Sequence, residues 1–353
     1  MPRFGRYVTT GHEFEGGTGT VYICDDPALD RRVAIKFLGP HRDKRRIQNE
    51  INALQAVRSK NVVELLDIVI EPGNNIGVVE EFLDGDSLSD VEPTTTDELL
   101  RLVYQMASGV ADIHAARMIH RDLKPSNMRL TSSGILKILD FDLSRVDVEA
   151  GTFGFKGTHG FAAPELYATN PSFNTAVDVY ALAATVGAIT NNNNSPVVVE
   201  PGRLPSTAAF FAAGGFGAIT PTLPPELVLL LNSALSDQPS HRPTAAAIRD
   251  AAARELLVDR HRAFVTYGGT GYYCDATNRR LTVQVGTNSI DVEYTGRVFR
   301  VTRVGGNVQV NGVAAVVGLI LTGCSVLSLG VAGSPAYERE FMTLDVSHPE
   351  VVL

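Results

Sequence analysis

Residues Ile119 to Asn127 read Ile-His-Arg-Asp-Leu-Lys-Pro-Ser-Asn and hold an acid, a base and an amide at fixed offsets in one loop between apolar runs. Asp122 can orient a hydroxyl and accept its proton. Lys124, two residues on, can neutralise charge on a transferred anionic group, and Asn127, five residues after the acid, can reach a metal ion bound to that group. Such a loop constrains the fold because it needs partners from distant stretches. Two are present: Ile138-Leu139-Asp140, an apolar strand ending in an acid 18 residues after Asp122, and Val33-Ala34-Ile35-Lys36, an apolar strand ending in a cation.

The loop matches the pattern H-R-D-L-x-x-x-N at every fixed position, and with its two partner stretches the chain resembles the eukaryotic-like (Hanks-type) serine/threonine protein kinases over roughly residues 1–257. The resemblance implies an α+β, bilobal fold: an N-lobe (1–83) of antiparallel sheet plus one helix, and a mostly helical C-lobe (84–257). It implies ATP and Mg2+ as cofactors, with Asp122 as catalytic base, Lys124 beside it, Lys36 on the α- and β-phosphates, and Asn127 and Asp140 as metal ligands. Residues 4–23 alternate around the Gly-rich turn 13–22, which resembles the phosphate-covering hairpin of the family. Gly16, Gly17 and Gly19 would let backbone N–H groups approach phosphates. Val21 and Ala34 would cover the base, and Glu81 and Leu83, in a hinge-like stretch, would meet its edge.

Helical spacing of Ile47, Ile51, Leu54 and Val57 predicts a helix from about Asp43 to Val57, with Glu50 as the partner of Lys36. Strands over 61–70 and 76–82 complete a sheet of about five strands. A helix capped by Thr96 and running to about Ala116 leads into the catalytic loop. Short strands Met128–Leu130 and Leu136–Leu139 then deliver Asp140. The segment from Asp140 to Ala163-Pro164-Glu165 contains Gly157-Thr158, where the resemblance implies that Thr158 hydrogen-bonds Asp122 and Lys124, favouring Ser/Thr acceptors. Arg121 suggests control by a phosphate on this segment, with Thr152 and then Ser144 as acceptors. Asp178 is expected to anchor the loop backbone, and Arg242 to pair with Glu165.

Four positions depart from the family. Phe14 stands at the first Gly of the turn, Asp142 at the Gly of Asp-Phe-Gly, Glu80 on the back wall of the base pocket, and Arg129 on its floor. Glu80 and Arg129 would each be costly to bury alone, so a pair between them across the nucleotide site is one expectation. The other is that Arg129 reaches solvent and ATP binds normally.

From about residue 258 to 353 the texture changes to alternating segments between Gly and Asn turns, including 281–285, 290–294, 298–304 and 341–346, which argue a small all-β sandwich. The stretch 308–312, followed by 326–330, loosely resembles the last strands of forkhead-associated domains, without that family's phosphothreonine-reading residues. A degenerate docking or dimerising module is expected there. Residues 312–333 carry no charge over 22 positions, long enough for a membrane helix, but Gly and Ser punctuation favours strands.

A net charge of −8 argues against a nucleic-acid-coating surface. Three distant cysteines fit a reducing compartment, and the start lacks a signal peptide, so a cytoplasmic location is expected. The favoured reading is phosphorylation of Ser/Thr hydroxyls on protein substrates. A pseudokinase scaffold that binds partners without phosphoryl transfer is the alternative, motivated by the four departures. A small-molecule phosphotransferase of the aminoglycoside type ranks third, since it leaves Gly157-Thr158 and Ala-Pro-Glu without a role.

Overall fold

The computed structural model describes residues 3–16, 19–38, 44–72, 75–141, 144–146, 157–168, 173–201, 203–267, 270–331, 333–335 and 339–347. Gly17, Asp43, Asp142 and Thr152 lie outside these residues. The chain divides into two compact units, Met1–Ala252 and Ala253–Leu353.

The first unit opens with a six-stranded antiparallel sheet: β1 (Arg3–Phe4), β2 (Tyr7–Gly16), β3 (Gly19–Asp26), β4 (Arg31–Leu38), β5 (Leu65–Glu71) and β6 (Asn75–Glu81), in the order β1-β2-β3-β4-β6-β5. Alternation along β4 buries Val33, Ile35 and Phe37 in one small core with Tyr7, Cys24 and Val79. The opposite face carries Ala34 and Lys36, opposite Glu80 and Val78 of β6. Between β4 and β5 lies helix α1 (Lys44–Ala56), which buries Ile51, Ala53, Leu54 and, on the same face, Glu50. The sheet has one strand more than expected. Residues 61–64 precede β5; Val62 bridges to Ile138 and the Glu64 carbonyl accepts the Glu81 N–H.

The rest of this unit is mainly helical, around α2 (Thr96–Ala115) and α3 (Ala176–Ile189), followed by α4 (Ala208–Ala212), α5 (Phe216–Ile219), α6 (Pro225–Ala234) and α7 (Ala245–Leu256). The cap of α2 is Thr95, one residue before the expected Thr96. Its hydroxyl accepts the Glu98 N–H while Glu98 returns to the cap backbone, a capping box. Helix α3 is apolar on nearly all sides, Asp178 apart, and buried from Val177 to Ile189, as suits a central helix. Short strands β7 (Asp86–Ser87), β8 (Met118–Ile119), β9 (Met128–Leu130), β10 (Leu136–Ile138) and β11 (Arg145–Val146) form two small ribbons, β10-β9-β7 and β11-β8. They hold the loop 120–127 and the acid Asp140 at one end of α2.

The second unit contains two antiparallel sheets. The first, in the order β13-β12-β21-β20-β17-β18, uses β12 (Ala263–Tyr267), β13 (Thr270–Cys274), β17 (Val308–Val310), β18 (Val313–Ala314), β20 (Cys324–Leu329) and β21 (Glu340–Val346). The second, β14-β15-β16-β19, uses β14 (Arg280–Val285), β15 (Asn288–Tyr294), β16 (Phe299–Gly305) and β19 (Ile320–Leu321). Inward residues of both sheets share one core, including Val265, Val292, Val301, Leu327 and Leu344. Tyr294 stacks on Phe299 at 4.7 Å and places its hydroxyl on the Gly296 carbonyl. The uncharged stretch 312–333 therefore supplies strands, and among the described residues no helix is long and apolar enough to cross a membrane.

Candidate active site

A cavity of about 770 Å3 opens under the sheet of the first unit. Its roof includes Val21, Ile23 and Ala34, its side wall runs along Glu80 to Asp84, and its floor includes Asn127, Arg129, Leu139 and Asp140. Lys36 closes one end. Of the residues expected to touch a nucleotide, Val21, Ala34, Lys36, Glu81 and Leu83 line this space. Gly16 and Gly19 pair at the closed end of the β2–β3 hairpin instead, and Gly17 is not described.

Lys36 is nearly buried, and its ammonium lies 2.8 Å from Oε1 of Glu50 and 2.7 Å from Oδ1 of Asp140. Burial works against its charge, but Glu50, Asp140 and Glu80 outweigh that and hold its pKa above the ordinary lysine value. Asp140 shows the reverse balance: burial would raise it, yet Lys36 keeps it below the usual carboxylate range. Its backbone is left-handed, φ 62°, as is that of Arg121 at φ 69°. Non-glycine residues hold such conformations only where surrounding bonds over-determine them.

Those bonds are present. Asp178, fully buried on α3, accepts the backbone N–H of His120 and of Arg121, each at 2.8 Å, and lies 2.9 Å from Nε2 of His114. Burial pushes Asp178 up, but the His114 bond, the His120 ring and the Arg121 N–H hold it below the ordinary aspartate value. His120 in turn places Nε2 2.9 Å from the Leu139 carbonyl and its ring against Phe141, tying the loop to the segment that carries Asp140.

At the loop's centre, Oδ1 of Asp122 accepts the Thr158 hydroxyl at 2.6 Å, while Oδ2 accepts Lys124 Nζ at 2.9 Å and Asn127 Nδ2 at 3.0 Å. Lys124 also donates to the Thr158 hydroxyl at 2.7 Å. Asn127 fixes its amide nitrogen further on the Asp122 carbonyl at 2.8 Å, which leaves its oxygen as a hard ligand. Glu165 receives both arms of the Arg242 guanidinium, at 2.7 and 2.9 Å.

The expected pair between Glu80 and Arg129 is not formed. Both line the cavity, but Arg129 donates to the Gly85 carbonyl, which sits within its reach because Gly85 packs on the Leu130 backbone. A Cβ at Gly85 would fall 1.7 Å from the Leu130 oxygen, so only glycine fits. Ser144, named above as a phosphate acceptor, is buried with its hydroxyl on the Phe141 carbonyl.

Four arrangements escaped sequence reading. Lys137 pairs with Glu81 at 2.6 Å; Asp84 receives the Ser132 N–H at 3.2 Å and also its hydroxyl; His114 braces Asp178. A bulge in β2 between Thr9 and Glu13 brings Thr10, His12 and Phe14 onto the cavity. Gly11, inside an otherwise alternating strand, was the one local signal of that bulge.

A protein kinase domain model matches residues 14–252. The chain is 35% identical over 183 residues to "Serine/threonine-protein kinases PknA" of Corynebacterium glutamicum, covering 47% of this chain and 39% of that protein. It is also 35% identical over 183 residues to "Serine/threonine-protein kinases drp72" of Corynebacterium efficiens, covering 47% and 35%. Over 186 residues it is 31% identical to "Mitogen-activated protein kinase 6" of Oryza sativa subsp. japonica, covering 49% and 50%. The chain thus spans half or less of the length of these curated relatives.

Proposed function

The chain belongs to the protein kinase family, and from that premise we propose that it transfers the γ-phosphoryl group of ATP to Ser and Thr hydroxyls of protein substrates. The observation that carries this reading is the Asp122 carboxylate, held at once by Thr158, Lys124 and Asn127, of which Asn127 lines the same cavity as the Lys36–Asp140 pair.

Asp122 orients the acceptor hydroxyl and takes its proton as the hydroxyl oxygen bonds to the γ-phosphorus and the bond to the ADP oxygen breaks. Lys124 balances charge on the group in flight, and Thr158 keeps Asp122 and Lys124 in register. Lys36 grips the α- and β-phosphates, with Glu50 fixing its position. Val21 and Ala34 cover the base while the 81–83 backbone meets its edge. A carboxylate and an amide oxygen suit magnesium, which is held by few protein oxygens plus phosphates, so Asp140 and Asn127 would hold it. Bound there, magnesium neutralises phosphate charge.

The domain reading that goes with this function is a kinase domain over 1–257 and a β domain over 258–353 that docks a partner. The setting is the cytoplasm, where ATP is at hand. The test is transfer of labelled phosphate from ATP and magnesium to the protein itself and to a basic protein substrate, with Asp122→Asn beside wild type. Label on Ser and Thr that vanishes in the variant supports the reading. Nucleotide bound with no label in wild type would move the weight to the scaffold alternative.

A further inference from the structure

Alternation along β6 sends Glu81 to Lys137 and Glu80 to the other face, opposite Ala34 and into the cavity. Glu80 is half-buried, and among the described residues no hydrogen bond reaches its carboxyl group. Among the groups that act on it are two carboxyls, Glu50 from α1 and Asp140 from the segment after β10, and the ammonium of Lys36 on β4. Lys36 is already committed to the first two. Among the described residues neither nearby cation pairs with Glu80: Lys137 is paired with Glu81, and Arg129 turns to the Gly85 carbonyl. A third charge beside Glu50 and Asp140 has no ion-pair partner among the described residues, so the carboxyl of Glu80 keeps its proton. Burial pushes it up to about 8, against the pull of Lys36 and with the push of Glu50, Asp140 and Glu81.

We propose that Glu80 reads the 6-position of the purine and, as a neutral carboxyl, lets the site use GTP, a 6-oxo purine nucleotide, as well as ATP. The proposal rests on the nucleotide reading of the cavity given above. With phosphates at Lys36 and the base edge on the 81–83 backbone, the base lies between Val21 and Ala34 above and Leu139 below. Its substituent nearest β6 then meets Glu80. A neutral carboxyl has one acceptor oxygen and one O–H donor. The oxygen accepts from the 6-amino group of adenine, and the O–H donates to the 6-oxo group of guanine. An ionised carboxylate would set its lone pairs against that oxo group, and an apolar side chain would leave it without a partner.

The experiment compares binding of ATP and of GTP to the full chain, by displacement of a fluorescent adenine nucleotide, at pH 6.5 and pH 9. Wild type is measured with Glu80→Gln, whose amide both donates and accepts at either pH, and Glu80→Met, which does neither. Wild-type GTP affinity at pH 6.5 is expected within about tenfold of ATP, and should fall about tenfold relative to ATP by pH 9, one hydrogen bond in each case. Glu80→Gln should keep the pH 6.5 ratio at both values. Glu80→Met should lower GTP affinity at least about tenfold more than it lowers that of ATP. ATP bound with GTP about a hundredfold weaker at pH 6.5, or a GTP-to-ATP ratio untouched by Glu80→Met, overturns the proposal and leaves the kinase reading standing. Failure to bind either nucleotide would overturn both.

Discussion

Lys36 Nζ lies 2.7 Å from Oδ1 of Asp140, a residue 104 positions further along the chain, so this bond joins the N-lobe sheet to the acid that follows β10. Lys36→Met removes the ammonium that joins Glu50 to Asp140 in the corner they share with Glu80. Phosphoryl transfer is expected to fall at least about 100-fold through loss of electrostatic stabilisation. Stability should fall too, by about 2–4 kcal/mol, because the buried Glu50 and partly buried Asp140 carboxylates lose the ammonium held between them. Labelled phosphate transfer and urea unfolding measure the two effects, and wild-type transfer in Lys36→Met would remove Lys36 from the proposed machinery.

Thr158 donates to Asp122 and accepts from Lys124, so its hydroxyl sets the spacing of the two groups. Thr158→Ala should lower kcat by about 10–100-fold while leaving KM for ATP nearly unchanged, since the nucleotide end of the cleft is untouched. Thr158→Ser, which keeps the hydroxyl, should recover most of the rate. Equal loss in the Ser and Ala variants would mean that the methyl group, not the hydroxyl, supports the site.

Thr158 on Asp122, Glu50 on Lys36, the loop backbone on Asp178 and Arg242 on Glu165 were legible because each lies at a fixed offset inside a motif, and the structure brings those motifs together. Positions outside motifs were harder. Arg129 was matched to Glu80 by charge alone, but a carbonyl competes with a carboxylate for a guanidinium, and Gly85 was nearer. Charge complementarity says nothing about distance. The β2 bulge is likewise a matter of register, set by pairing across strands, which period-two alternation does not encode at the residue level. The bilobal core was easier, since Val33, Ile35 and Phe37 or the largely apolar α3 can be buried in few ways.

Arg242 is buried under α3, where it gives two bonds to Glu165, one to the Ala176 carbonyl and one to the Ser236 carbonyl, with its guanidinium on the Tyr180 ring. Arg242→Ala strands a largely buried carboxylate and two carbonyls, so a loss of about 3–5 kcal/mol is expected. The double variant Arg242→Met with Glu165→Met should lose clearly less than the sum of the two single changes, because no lone charge remains. Urea denaturation of the four proteins closes the cycle. Additive losses would show that the two residues stabilise the fold independently.

Asp178 yields the pH dependence. Its carboxylate is fully buried, held by the His120 and Arg121 N–H groups and by His114, and its pKa lies below the ordinary aspartate value. A depressed folded-state pKa contributes stability that is complete above the unfolded value, near ~3.9, and is lost as pH falls through the folded-state value. Asp178→Asn keeps the shape but turns an N–H donor toward backbone donors, and should cost about 2–3 kcal/mol at pH 7. Wild type alone then has this charge to lose in acid, so the gap between the two proteins should narrow as pH falls below about 4. Denaturant midpoints at pH 7, 5 and 3 measure it. The gap should be unchanged from pH 7 to pH 5 and reduced at pH 3; a gap constant across all three would show that the Asp178 charge does not stabilise the left-handed turn at Arg121.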